Sequence, residues 1–186
     1  MKRLGLLGAG MLLLAGCAGG GGSSEPAGAA SSASSTPAGP VVTGPGTYSY
    51  EVGGAAIEVA LPGRADPVVA GVVALAKAPK PVYVSVVVDN RKGATDVMPA
   101  EVTAYTVAGT KVVYEAAYKY LNAVDDSKMS VEDGNKVIAA YNKVNNPVSI
   151  GETRTVTMVG IEPLPEGIVR VTVSDAYGDE TQATKK

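Results

Sequence analysis

The chain of 186 residues contains no histidine, no tryptophan and no phenylalanine. The missing histidine removes the commonest general acid–base and the commonest metal ligand. The missing tryptophan removes the usual platform for stacking a sugar ring. A single cysteine rules out an internal disulfide, so the folded part must hold together by its core alone. Charge is balanced at 16 cations to 18 carboxylates, which speaks against nucleic acid as a partner, since that would want a basic stripe. No Gly-x-Ser-x-Gly nucleophile elbow occurs, no glycine-rich phosphate loop leads into a helix, and no segment repeats.

Lys2 and Arg3 precede an uncharged apolar run, residues 4–15, and the one cysteine closes Leu14-Ala15-Gly16-Cys17. A short cationic start, an apolar stretch and small residues form the layout of a secretory signal. The run is too short for a membrane-spanning helix, which takes roughly 20 apolar residues. The tetrapeptide ending at Cys17 resembles the lipobox of bacterial lipoproteins. That resemblance implies cleavage before Cys17, a diacylglycerol thioether on its thiol, and acylation of the freed amine. Each buried CH₂ contributes about 0.8 kcal/mol, so two or more chains anchor stably where one binds marginally. The expected location is the extracytoplasmic face of the cell membrane, lipid-anchored. Loss of Lys2 and Arg3 takes the 16 cations down to 14, against 18 carboxylates, a mild net charge of −4.

Residues 18–46 are mostly Gly, Ser, Ala, Thr and Pro with one charge, Glu25. Such a composition buries too little apolar area to offset ordering entropy and reads as a flexible tether. As a coil it would reach about 30 Å. An O-glycosylated Ser/Thr/Pro stalk is the functional alternative.

From Thr47 the pattern becomes period-2 alternation. Tyr48, Tyr50 and Val52 share one side of a strand; so do Ile57, Val59 and Leu61, and then Val82, Val84, Val86 and Val88. Asp89-Asn90-Arg91-Lys92-Gly93 ends the third of these as a turn. Residues 102–107 and 111–115 flank Ala108-Gly109-Thr110, a short hairpin with Gly supplying a positive φ. Arg154, Val156 and Met158 alternate with threonines, and Val169, Val171 and Val173 alternate with Ile168, Arg170, Thr172 and Ser174. Repeated β-branched alternation between Gly/Pro turns predicts an antiparallel β-sandwich. Two short helices are expected beside it. Asp66-Pro67 is an N-cap and N1 pair ahead of Val68, Val69, Val72, Val73 and Leu75, although a valine-rich run could also be a strand. Ser130 with Asp133 resembles a capping box ahead of Val137, Ile138, Tyr141 and Val144, and Asn145-Asn146-Pro147 ends that element.

This layout resembles the telokin-like, immunoglobulin-fold domains of many Gram-positive lipoproteins. Val84-Ser85-Val86-Val87-Val88-Asp89-Asn90 looks like the family's strand running into an Asn turn. Residues 102–105, Gly109 and Tyr114 look like its next hairpin. Ile150-Gly151-Glu152 and the later Pro163-Leu164-Pro165 look like its Gly-Glu turn and closing strands. The resemblance covers residues 83–173 and implies a fold and a location more than an activity. The expected organisation is a signal peptide over 1–16, acylated Cys17 and linker over 17–46, an immunoglobulin-like sandwich over 47–178, and a polar tail over 179–186.

Candidate chemistry is sparse. Ser127-Lys128 are adjacent, so a regular element would not bring hydroxyl and amine into mutual reach, and nothing fixes a carboxylate pair at the separation glycoside hydrolysis needs. Asp125, Asp126, Glu132 and Asp133 form the one acidic cluster and the weak candidate for Ca²⁺, which takes six to eight oxygens. A solvated loop leading into a capped helix accounts for the same residues. Tyr114, Tyr118, Tyr120 and Tyr141 are candidates for a binding face, or for core bulk in a chain without Phe or Trp. No cofactor and no catalytic residue is expected. The expected function is a non-catalytic binding or interaction module at the cell envelope, with an envelope protein or polymer as partner. The alternative is an envelope accessory binding a small ligand or Ca²⁺. An interaction module should expose an apolar or Tyr-rich patch, a ligand carrier should hold a concave apolar pocket, and a Ca²⁺ site should bring the four carboxylates to one point.

Overall fold

A computed structural model describes residues 41–125 and 127–186. Cys17, the signal segment and most of the expected tether lie outside the described residues.

Eight antiparallel strands and three helices follow in the order β1 (Gly46–Val52), β2 (Ala55–Leu61), α1 (Pro67–Ala76), β3 (Val82–Asp89), β4 (Pro99–Thr106), β5 (Lys111–Ala116), α2 (Ala117–Asn122), α3 (Val131–Val144), β6 (Thr153–Gly160), β7 (Ile168–Asp175) and β8 (Glu180–Lys185). The fold is mainly β, as the alternation predicts. The hydrogen-bonded ring runs β1-β2-β3-β6-β5-β4-β7-β8 and closes on itself. The expectation of two separate sheets is corrected at two seams. β5 pairs with β6 through Glu115–Val159 and Ala116–Met158, and β1 pairs with β8 through Tyr48–Lys185 and Ser49–Thr184. These two-pair seams divide the ring into four-stranded halves, β1-β2-β3-β6 and β5-β4-β7-β8. The other ladders are longer, with eight pairs between β3 and β6 and seven between β1 and β2.

The strand signals translate directly into an interior. Ile57, Val59 and Leu61 of β2, and Val84, Val86 and Val88 of β3, are all buried in the barrel. Gly53 and Gly54, at φ +55° and +83°, make the two-residue turn between β1 and β2, which only glycine enters without strain. The β4–β7 ladder shifts register twice, once at Ala100 of β4 and once on β7. Tyr105 faces Arg170 but Thr106 faces Ile168, so Val169 is an unpaired bulge. The bulge flips the parity, and Ile168 rather than Val169 joins Val171 and Val173 in the core. The residues expected as a polar tail form β8, laddered to β7 from Glu180 to Ala183. The chain is also fixed before Gly46. The Tyr48 hydroxyl donates to Gly44 O at 2.6 Å, and Lys185 Nζ donates to Thr43 O and to Pro45 O.

The outward faces of β3 and β6 carry a second core. Tyr83 and Val159, between inward-facing neighbours, pack with Val69 and Val72 of α1, Ala117 and Leu121 of α2, and Val137 and Ala140 of α3. Residues 66–78 are helical at their centre, as the N-cap signal predicts. Asp66 Oδ1 accepts from Val68 N at 2.7 Å and Val69 N at 3.2 Å, and Oδ2 accepts from Thr157 Oγ1, fastening α1 to β6. Ser130 caps α3 by accepting from Asp133 N at 3.1 Å, and its hydroxyl donates back to Asp133 Oδ2 at 2.9 Å. The short α2 has no side-chain cap and no sequence expectation behind it. It closes the helical layer across the β5–β6 seam, touching both strands.

Candidate binding cleft

The helical layer leaves a half-open cleft of about 790 Å³ between the end of α1, the end of α2 and the start of α3. Its apolar lining comes from Leu75, Pro79, Tyr120, Val124, Met129 and Ile161. Ile161, in the turn after β6, is 75% exposed, and Leu75 at the end of α1 is partly exposed. Lys77, Lys128, Asp125 and Asp133 stand at its rim. Large apolar side chains in a concavity bounded by mixed charge suit an apolar segment whose flanks are polar.

Local sequence explains the walls. α1 ends in a Schellman turn, with Lys77 N donating to Ala74 O and Ala78 N to Val73 O. Lys77 takes φ +50°, the conformation usually given to glycine, and Pro79 keeps the chain from continuing the helix. After the turn, Lys77, Ala78 and Pro79 line the cleft.

The tyrosines divide. Tyr114 is fully buried in the barrel, and its hydroxyl has no partner among the described residues. Burial, aided by the Glu162 charge, pushes its phenol up to about 12. Tyr118, Tyr120 and Tyr141 are half-buried, and of the four only Tyr120 lines the cleft. Burial raises the phenols of Tyr118 and Tyr120.

Among the described residues, Asp125, Glu132 and Asp133 do not converge on one point. Asp125 Oδ1 accepts from Ser127 N at 3.0 Å, and hydrogen bonding from the Ser127 side chain, then from its backbone, holds the carboxyl below the usual range. Asp133 is held down by the Lys136 ammonium and then by the Ser130 hydroxyl. Glu132 pairs with the same lysine at 3.0 Å. Asp126 lies outside the described residues. Among the described residues no three acidic or cysteine side chains are grouped as metal ligands would be. Of the Ca²⁺ candidates, Glu132 and Asp133 stand in the first turn of the Ser130-capped α3, and Asp125 lies in the approach to it.

Sequence reading located Tyr120 and the acidic rim but not Leu75 as a surface residue, nor Lys77, Pro79, Val124, Met129 or Ile161. The available signal was the pair Pro79 and Pro81, with isolated apolar residues in turns, such as Ile161 after Gly160. No protein-family model matches the chain, and no match to it was found among curated proteins or among solved structures.

Proposed function

We propose that the chain is an extracytoplasmic lipoprotein, anchored through acylated Cys17, that presents a non-catalytic binding module and takes its partner in the helical cleft. The observation that carries the binding role is the cleft itself, with Leu75 and Ile161 left in solvent beside a volume of about 790 Å³. Exposed apolar side chains flanking a concavity mark interaction sites. The anchor rests on the tetrapeptide ending at Cys17 and the charged and apolar run before it.

The module is proposed to be immunoglobulin-like despite its closed ring. Strand order supports this. β3 and β4 are consecutive but lie in different halves; so are β6 and β7, and β3 pairs with β6 while β4 pairs with β7. With β2-β3-β6 taken as A-B-E and β8-β7-β4-β5 as G-F-C-C′, the order is that of an immunoglobulin Greek key. β1 is then an added edge strand, and α2 and α3 take the place of a D strand between C′ and E.

The test is site-directed photocrosslinking in the native envelope. A photoreactive residue at Ile161 should trap one discrete partner, which Leu75→Lys abolishes, while the same probe at exposed Val107 traps none. Equal yields at Ile161 and Val107 would sink the reading. Cleft volume favours a small apolar ligand as the second reading, since binding pockets span about 300–1,000 Å³. A saturable rise in Tm with a small molecule, lost in Leu75→Lys, would select it.

A further inference from the structure

The two short seams lie four strands apart, on opposite sides of the ring. The helical layer covers the β5–β6 seam. No described element covers the β1–β8 seam. One end of that seam is shut, because Lys185 reaches back to Thr43 and Pro45. Toward the other end the ladder stops, and Tyr50, Glu51 and Val52 have no pairing partners on β8.

Backbone parity shows which groups the end of the ladder leaves free. A two-residue turn makes Val52–Ala55 a hydrogen-bonded pair, so Tyr50 and Val52 bond β2 while Ser49 and Glu51 direct their amide groups away from it. Lys186 N donates to Thr47 O at 2.9 Å, on that same outward parity. On β8 the outward parity includes Thr184, which pairs with Ser49, and therefore Gln182. The backbone groups of Glu51 and Gln182 thus face a gap without ladder partners. Unpaired strand edges are templates for an incoming strand.

The gap has a particular lining. Val97, Met98 and Val173 line a cavity of about 110 Å³, enough for one side chain. Asp96, Asp175 and Asp179 border it, and no lysine or arginine does. Asp175 Oδ1 accepts from Tyr177 N at 2.8 Å and Asp179 N at 3.1 Å, and Asp96 Oδ1 accepts from Ile150 N at 3.2 Å. Each of these carboxylates keeps a second oxygen without a partner among the described residues. Burial raises the Tyr50 phenol, and the Asp175 charge raises it further, as a cation-free pocket would.

We propose that the β1–β8 gap docks an extended basic peptide, whose main chain adds to the free edges while a lysine or arginine side chain meets Asp96, Asp175 and Asp179. Free backbone edges call for a peptide main chain, and the acidic border selects its charge. A second copy of this chain is disfavoured, because it would bring the same carboxylates against their own kind. The site is separate from the helical cleft and does not depend on the cleft's role.

The test uses the full chain in detergent and a fluorescent threonine–valine peptide with one central lysine, read by anisotropy. The lysine peptide should bind saturably. Replacing the lysine by glutamate, or N-methylating alternate peptide amides, should weaken binding about tenfold or more. Gln182→Pro, which removes only an outward N–H, should weaken it too, and Asp179→Asn should reduce the preference for lysine. Equal binding of the glutamate or N-methylated peptide overturns the proposal, as does no binding at millimolar peptide. A dimer in sedimentation that Gln182→Pro dissolves would assign the edge to a second copy and overturn it as well.

Discussion

Single residues in this protein hold positions that their chemistry does not favour, and those positions make sharp tests. Lys77 occupies φ +50°, a left-handed conformation that costs an L-residue about 1–2 kcal/mol. Lys77→Gly should therefore raise stability by about 1 kcal/mol in denaturant unfolding, while removing a cation from the cleft rim. A variant that is stabler but traps less partner would separate the two roles of this residue. Tyr114 buries a hydroxyl with no partner among the described residues. Tyr114→Phe should leave stability unchanged or raise it by up to about 2 kcal/mol, and a loss instead would reveal a partner for the phenol. Its raised pKa also fixes a pH window. Below pH 10 the phenol is neutral in both states and the full stability is present. Above pH 10 the unfolded chain ionises first, so stability falls until the folded phenol titrates at about 12. Tyr114→Phe should make that alkaline fall shallower in melts between pH 9 and pH 12. Asn90 is buried, donating from Nδ2 to Thr95 O at 3.0 Å and Val148 O at 2.9 Å, and a Cβ on Gly93 would lie 1.7 Å from its Oδ1. Asn90→Ala should cost about 2–4 kcal/mol in chemical unfolding, since two carbonyls lose their donor. The turn signal at Asp89-Asn90 was legible in sequence; that one side chain joins two distant loops was not, because Val148 is remote along the chain.

At the scale of elements, whatever depended on local period could be read, and whatever depended on partners could not. The valine alternation of β3 and the caps of α1 and α3 are local physics, and they correspond to Val84, Val86, Val88, Asp66 and Ser130 in their expected places. Ser130→Ala should cost about 1 kcal/mol and Asp66→Ala more, because Asp66 also holds Thr157 of β6. Urea midpoints at constant slope would measure both. α2 escaped notice for a physical reason. Ala117-Tyr118-Lys119-Tyr120-Leu121-Asn122 carries strand-prone tyrosines and no capping side chain, so tertiary packing of Ala117 and Leu121 decides its state. β8 escaped because Glu180-Thr181-Gln182-Ala183-Thr184-Lys185 buries only Ala183. The bulge at Val169 exchanged it with Ile168 on the inward face, since nothing in alternating valines marks where a register slips. The cleft was legible only at Tyr120 and its acidic rim, because Leu75 and Ile161 come together across elements remote in sequence.

For the whole molecule, the anchor and the module make separable predictions. Cys17→Ser should move the protein from the membrane fraction to the soluble extracytoplasmic fraction without changing the melt of the folded part. Retention of the variant on membranes would count against lipidation. Ring closure lay beyond sequence reading, since two-pair seams leave no compositional trace. The position of the chain's entry into the barrel has a mechanical consequence. Whatever holds the chain upstream pulls at Thr43, where Lys185 and the Tyr48 hydroxyl grip the carbonyls of residues 43–45. Load then passes into β1 along its length, as shear on seven pairs with β2, rather than peeling them one at a time. The β1–β8 seam has only two pairs to resist its share of that load and would part before the seven-pair β1–β2 ladder, so tension from upstream would widen the gap beside Tyr50 while the helical side of the barrel stays intact.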